Sequence, residues 1–435
     1  MGDISIITIT RGAIGLISLI IISYLLSNNR KNIQWKIVVI SLLIQFIIAV
    51  SILKISLIQS AFETISKFFV RIINYTASGS SFLFSSLVDQ ENSSYIFAFQ
   101  VLPIIIFFSA LTSLLYHLGV IQKIVSFLAW LLNKFLKITG AECLSLAGNI
   151  FLGQTESPLL IKSYLKKMTK PQLFVVMVGG MSTVAGSVLA AYIGLLGGND
   201  VNEQLKFATH LLTASVMAAP GAVAVSKIIF PDSVKYSDHS IEIEKEKIKG
   251  NFILSITSGT IEGVKLAVNV GAMLLVFLAF IALLNDIMWL IGDLLNFNVL
   301  ISQSTNFDQF SIEFVLGYLL TPIMWLIGVT YKECALMGQM LGIKIVSSEF
   351  VAFIKLADFR NMETSVSLLS KKSVTMATFM LCGFANLASI GIQIGGIGVL
   401  APEQRKNLSE LGFKAMIAGT IVSLISACFA GILIS

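Results

Sequence analysis

The chain alternates long apolar runs with short polar breaks. Runs at about 7–27, 36–58, 95–118, 171–197, 205–230, 258–292, 373–399 and 411–434 each approach or exceed the roughly 20 residues that a spanning helix needs. Other segments follow a different pattern. "FETISKFFVRIINY", within 60–88, and "IQKIVSFLAWLLNKFLKITG", at 121–140, are basic and amphipathic, as a helix lying in a membrane interface is. Residues 141–166 and 312–355 mix glycines, hydroxyls and carboxylates into apolar sequence. Each is long enough for two half-crossings, and each predicts a re-entrant hairpin, whose irregular backbone must be buried in protein or line a cavity. The stretch at 231–250, "PDSVKYSDHSIEIEKEKIKG", predicts a solvated loop running into a surface helix.

Composition fits this picture. Of 435 residues, 56% are hydrophobic and 12% charged, about half the charged fraction of a soluble domain. The expected class is an all-α integral membrane protein of about eight transmembrane helices, two re-entrant helical hairpins and interfacial helices. The formal charge of +6 sits in short loops, where it reports topology rather than nucleic-acid binding. Arg30, Lys31 and Lys36 put the first loop in the cytoplasm. Lys123, Lys134 and Lys137 then fall inside together with Lys162, Lys166, Lys167 and Lys170, which requires 141–166 to enter and leave on one side. Lys371 and Lys372 fall outside, against the bias. The first apolar run lacks a small-residue cleavage site and is taken as a retained span. The cysteines (Cys143, Cys334, Cys382 and Cys428) are scattered and predict free buried thiols.

An internal repeat organises the chain. "ECLSLAGNIFLGQTES" (142–157) has a partner in "ECALMGQMLGIKIVSSE" (333–349), each opening on Glu-Cys and closing on a hydroxyl followed by Glu. "GMSTVAG" (180–186) pairs without gaps with "GFANLAS" (383–389). The matching spans run in opposite directions, so the repeat is inverted. That architecture binds substrate near the bilayer midplane, between discontinuous helices. The organisation expected is N-terminal spans with an interfacial helix (1–94), a first repeat with its hairpin (95–230), a polar loop and surface helix (231–257) and a second repeat with its hairpin (258–435).

The polar positions at membrane depth are the candidates for chemistry. Glu156 and Glu349 are carboxylates there, costly unless they face a cavity or a partner. Asn386 and Ser389, three apart, share one helix face, and the glycines at 391 and 395–398 invite unwinding beside them. Phe384 offers an aromatic wall. Asn149 and Thr183 offer uncharged oxygens that suit a hard monovalent cation, with loose backbone carbonyls to complete its shell. His117 and His210 fit packing or loop positions, Glu142 and Glu333 fit hairpin entrances, and Arg11 can snorkel to headgroups. No HExxH, phosphate loop or Ser-His-Asp order is present, so no enzyme is expected. The polar residues form two patches rather than the continuous lining of a channel.

"GNIFLGQTESP", "MTKPQLFVVMVGGMSTVAGSVLAAY", "SSEFVAF" and "CGFANLASIGIQIGGIGVLAPEQR" together resemble the concentrative nucleoside transporters over nearly the whole chain. The resemblance implies a homotrimer in the cell membrane that imports nucleosides such as uridine, with no nucleic-acid partner. It implies that Gln154, Thr155 and Glu156 contact the base, with Gly153 and Val188 nearby and Phe384 packed against it. Glu349, Asn386 and Ser389 would hold the ribose hydroxyls. Asn149, Leu152, Thr183 and Val184 would hold a sodium ion. Two positions depart from the family pattern. Threonine stands at 183 where serine is expected, and Ser347-Ser348 precedes Glu349 where some relatives have Asn. The expected mechanism is symport with sodium by alternating access, with proton coupling as the alternative, and the departures leave the driving ion and the base preference to be tested.

Overall fold

The computed structural model describes residues 6–88, 96–198, 200–232, 251–360 and 368–434. Most of the polar loop expected at 231–250 lies outside them. The described secondary structure is entirely helical. Helices α1 (Ile6–Leu25) and α2 (Trp35–Lys54) are apolar spans. Helix α3 (Ser56–Phe84) follows after one extended residue, Ile55. It is amphipathic: Phe69, Val70, Ile72 and Ile73 are buried while Lys67 and Arg71 stay exposed.

The first repeat begins with α4 (Phe97–Gln100) and α5 (Leu102–His117), which together form one span. Helix α6 (Val120–Leu136) buries Ile121, Val125, Ala129, Leu132 and Leu136, a stripe at three- and four-residue spacing, and leans on α7 (Gly140–Asn149). Helix α7 is the entering arm of the first hairpin. Thr139 and Glu142 form a capping box that satisfies its first amides. The chain turns over 150–156 and leaves through a 3-10 turn, Ser157–Ile161, and α8 (Lys162–Leu165). The arms approach closely, because Ser157 Oγ donates to the Ser145 carbonyl at 2.6 Å. A Cβ on Gly148 would lie 2.7 Å from the Leu160 side chain. Helices α9 (Lys170–Ser182) and α10 (Gly186–Gly197) form one span, broken at residues 183–185, and α11 (Val201–Ile229) closes the repeat.

The second repeat restates this order. Helix α12 (Phe252–Leu294) runs 43 residues, and α13 (Phe297–Ser304) follows it. The segment expected as one hairpin at 312–355 resolves into two parts. Helix α14 (Ile312–Leu326) meets α15 (Tyr331–Val346) at 119°, and α15 pairs with α16 (Glu349–Arg360) as the hairpin itself. Helix α14 therefore stands to α15 as α6 stands to α7. Helices α17 (Lys371–Leu381) and α18 (Leu387–Leu400) are the second broken span, and α19 (Arg405–Leu433) ends the described chain. The repeat holds as architecture with a local shift of register. Gly180 lies inside α9, whereas its sequence partner Gly383 already lies in the break of the second span.

The molecule has an inner body and an outer frame. Most of the α9–α10 and α11 spans is buried, whereas α12 is largely exposed and lies along α5. The cysteines are free and buried, as expected.

Candidate functional site

The two broken spans meet at their breaks. Gly383 has φ of +134°, and a Cβ there would lie 2.9 Å from the Ser182 carbonyl and 3.0 Å from that of Met181. Only glycine fits such a crossing without strain. The next residue, Phe384, donates its amide to the Thr183 carbonyl at 3.2 Å. A backbone bond thus joins the irregular segment of one repeat to that of the other.

Both hairpin tips reach this crossing and enclose a cavity of about 410 Å³. That volume falls in the roughly 300–1,000 Å³ range of small-molecule sites. Gly153, Gln154, Thr155, Glu156, Val188, Glu349, Phe384, Asn386 and Ser389 all line it, so the expected substrate positions converge on one space. They come from the first tip, the start of α10, the start of α16, the second break and the first turn of α18.

A hydrogen-bond network fixes the polar wall. Glu349 is the first residue of α16, where the helix N-terminus favours a carboxylate. Its Oε1 accepts from Tyr192 Oη at 2.9 Å and its Oε2 from Asn386 Nδ2 at 2.7 Å. Asn386 Oδ1 accepts from the Ser389 amide at 2.8 Å and so caps α18. Gln154 Nε2 donates to Ser389 Oγ at 3.1 Å, while Gln154 Oε1 is buried without a partner. Glu156 accepts from the Gly153 amide at 3.1 Å and opens to the cavity. Each Glu349 oxygen accepts one of these bonds and keeps a further lone pair for a hydroxyl donor.

The expected cation positions lie behind the first tip. Asn149, Leu152, Thr183 and Val184 are all buried. Both polar atoms of the Asn149 side chain lack a partner among the described residues. The carbonyls of Leu152 and Val184 accept no hydrogen bond from them either. Thr183 Oγ1 donates to the Gly179 carbonyl at 2.9 Å, which leaves its lone pairs free. A partnerless buried amide is costly, and a donor set of neutral oxygens fits a hard monovalent cation.

Residues 14–87 match the family described as "Na+ dependent nucleoside transporter N-terminus", and residues 210–431 match "Na+ dependent nucleoside transporter C-terminus". Residues 98–199 match "Nucleoside recognition". An uncharacterised transporter of Haemophilus influenzae is 39% identical over 97% of both chains. Rat sodium/nucleoside cotransporter 2 is 35% identical over 96% of this chain, which spans 62% of that protein's length. The solved structure of CNTnw in an inward-facing substrate-bound state superposes with a TM-score of 0.88, at 35% identity, over 99% of this chain and 100% of that one. A CNTnw double variant in an outward-facing state superposes at 0.89 with 35% identity, over 98% of this chain and 97% of that one.

The chain belongs to the concentrative nucleoside transporter family. It is a transporter and not an enzyme.

Several features of this nucleoside transporter differ from the sequence expectation. Asn386 and Ser389 both face the cavity, but Asn386 lies outside the helix as its cap and Ser389 in the first turn. The glycines at 391 and 395–398 do not unwind, since all lie within α18. Two of them serve close packing: a Cβ on Gly396 would lie 2.7 Å from the Thr155 side chain, and one on Gly398 2.7 Å from Arg405. Arg11 caps the end of α14, donating to the carbonyls of Val329 at 2.9 Å and Trp325 at 3.2 Å, a role its sequence position did not suggest. Glu142 is not merely an entrance residue, because buried Lys227 donates to it at 2.7 Å and to the partly buried Asp232 at 2.6 Å.

Sequence reasoning missed five lining or supporting groups. Tyr192 is hidden in an apolar run. Ser347 lines the cavity with its hydroxyl unpartnered. Glu262, Lys265 and Asn269 line the wall that α12 supplies, with Lys265 Nζ 3.2 Å from Glu262 Oε1. Those α12 charges left a readable signal, because ionisable residues in a spanning run are rare.

Proposed function

We propose that this transporter imports nucleosides by symport with sodium, through alternating access, as a homotrimer in the cell membrane. The observation that carries the substrate half is the convergence of the expected contact positions on one cavity with a polar and an aromatic wall. A ribose diol donates to the free lone pairs of Glu349, with Asn386 and Ser389 beside it. The base packs on Phe384 near Val188. Its edge meets Gln154, whose unpartnered Oε1 accepts an N–H, and Thr155 and Glu156 next to it. No phosphate clamp is needed for an uncharged nucleoside.

The coupling half rests on Asn149. Its amide has no partner and lies beside Gly179, whose carbonyl accepts from Thr183 Oγ1; the neutral oxygens of Thr183, Leu152 and Val184 would complete the ion's shell. A sodium ion there orders the 150–156 turn, and with it Gln154 at the substrate. Binding energy of the ion thereby raises nucleoside affinity, and the reverse holds by linkage. Uridine uptake into proteoliposomes under separate sodium and proton gradients tests this. Accumulation that follows sodium and ignores pH supports it. Accumulation that follows pH and ignores sodium would assign coupling to the proton instead.

A further inference from the structure

The second repeat buries a charge that transport, as drawn above, does not use. Lys344 lies in the last turn of α15 and is fully buried. Its ammonium donates to the Met380 carbonyl at 2.9 Å and to Ser423 Oγ at 3.4 Å. Ser423 Oγ in turn donates to the Cys382 carbonyl at 3.0 Å. No carboxylate lies within ion-pair distance of Lys344 among the described residues. Burying an ammonium costs several kcal/mol, so its retention among neutral oxygens calls for a use of the charge itself.

The inverted repeat supplies one. In each half, the last turn of a hairpin's entering arm faces the last turn of a broken span, just before the break. In the first half these are Asn149 and the end of α9, where a Cβ on Gly179 would lie 3.3 Å from Asn149 Nδ2. In the second half they are Lys344 and the end of α17, at Met380. The first junction presents neutral oxygens and a partnerless amide. The second presents neutral oxygens already occupied by an ammonium.

We propose that Lys344 is a positioning residue whose ammonium is the permanent cation of the second junction, standing where the first junction takes an exchangeable one. The comparison with an exchangeable cation rests on the sodium coupling proposed above. The consequence is an asymmetric gate. The second tip, with Glu349, stays docked on its broken span throughout the cycle. The first tip, with Gln154, docks only when the coupling cation is present.

The test uses Lys344→Met and Lys344→Ala in proteoliposomes, with uridine uptake measured across sodium concentrations, with and without ethylammonium. Lys344→Met is expected to fold and to lose about tenfold or more of its uptake. Lys344→Ala is expected to regain uptake with ethylammonium, or to show a sodium Hill coefficient rising from about 1 toward about 2 as a free cation takes the ammonium's place. A lysine that only packs gives neither response. Uptake by Lys344→Met within about twofold of the parent overturns the proposal. So does a folded Lys344→Ala that ignores both cations. If the variants do not fold, recovery of monodisperse Lys344→Ala in ethylammonium, but not in choline of equal strength, supports the proposal, and no recovery overturns it. Parent uptake that ignores sodium would defeat the coupling assignment alone, because the ethylammonium arm still reads Lys344.

Discussion

The Phe384 amide donates to the Thr183 carbonyl at 3.2 Å, tying the break of one repeat to the break of the other. Thr183 is one of the proposed cation positions, and Phe384 lines the cavity. The proposed cation site and the cavity are therefore joined through backbone, and the geometry of that junction depends on Gly383. Gly383→Ala adds a Cβ 2.9 Å from the Ser182 carbonyl at a backbone angle that disfavours L-residues. A loss of about 2–4 kcal/mol is expected. Thermal unfolding in detergent measures it, and an unchanged midpoint would mean the crossing is looser than these contacts indicate.

Asn149→Ala should separate cation binding from folding. The substitution removes no hydrogen bond, so the sodium-free protein should keep its stability to within about 1 kcal/mol. Sodium at about a hundredfold its Kd should stabilise the parent by about 2.7 kcal/mol, and the variant not at all. Melting curves in sodium and in choline of equal strength give both values. A variant that still gains stability from sodium would move the cation elsewhere.

Glu349→Gln and Tyr192→Phe should rank the substrate wall. Replacing the carboxylate removes a charged acceptor, and uridine uptake should fall by about a hundredfold or more. Removing the Tyr192 hydroxyl takes one orienting bond from Glu349, a loss of about 1 kcal/mol that raises KM a few-fold. Concentrative uptake by Glu349→Gln at parental levels would refute the ribose assignment.

Lys227→Met should be severe for stability alone. It leaves Glu142 and Asp232 facing each other without their shared cation, at an expected cost of about 3–5 kcal/mol. Adding Glu142→Gln should recover part of that loss. A double variant less stable than the single one would mean that the triad is not held together by charge.

Much of this arrangement was legible in the sequence, and the exceptions have physical causes. Apolar run length marked the spans, because the bilayer sets one dimension for them all. The Glu156 and Glu349 tips were legible because a carboxylate in an oily run has few places to go. Tyr192 was not, because a tyrosine in an apolar helix is equally a packing residue until a partner such as Glu349 is placed beside it. Helix α14 was merged with the second hairpin because its apolar sequence runs into α15 with only a short break, and the 119° turn between them is a tertiary fact. The glycines at 391 and 395–398 misled for a related reason. Glycine permits both unwinding and close approach, and the side chains of Thr155 and Arg405 decide for close approach at Gly396 and Gly398. Lys344 left the same mark as the tip carboxylates, a lone charge in an apolar stretch.

The cavity's two walls answer to different parts of the fold. Hairpin tips and helix breaks make one wall, and α12, lying along α5, makes the other. If the two walls slide past each other in the proposed alternating-access cycle, the spacing between Glu349 and Lys265 changes while the network around Glu349 is kept. A small nucleoside that touches only the first wall would travel with it. A nucleoside carrying an acidic tail long enough to reach Lys265 would act as a caliper, binding tightly at one spacing and holding the transporter there.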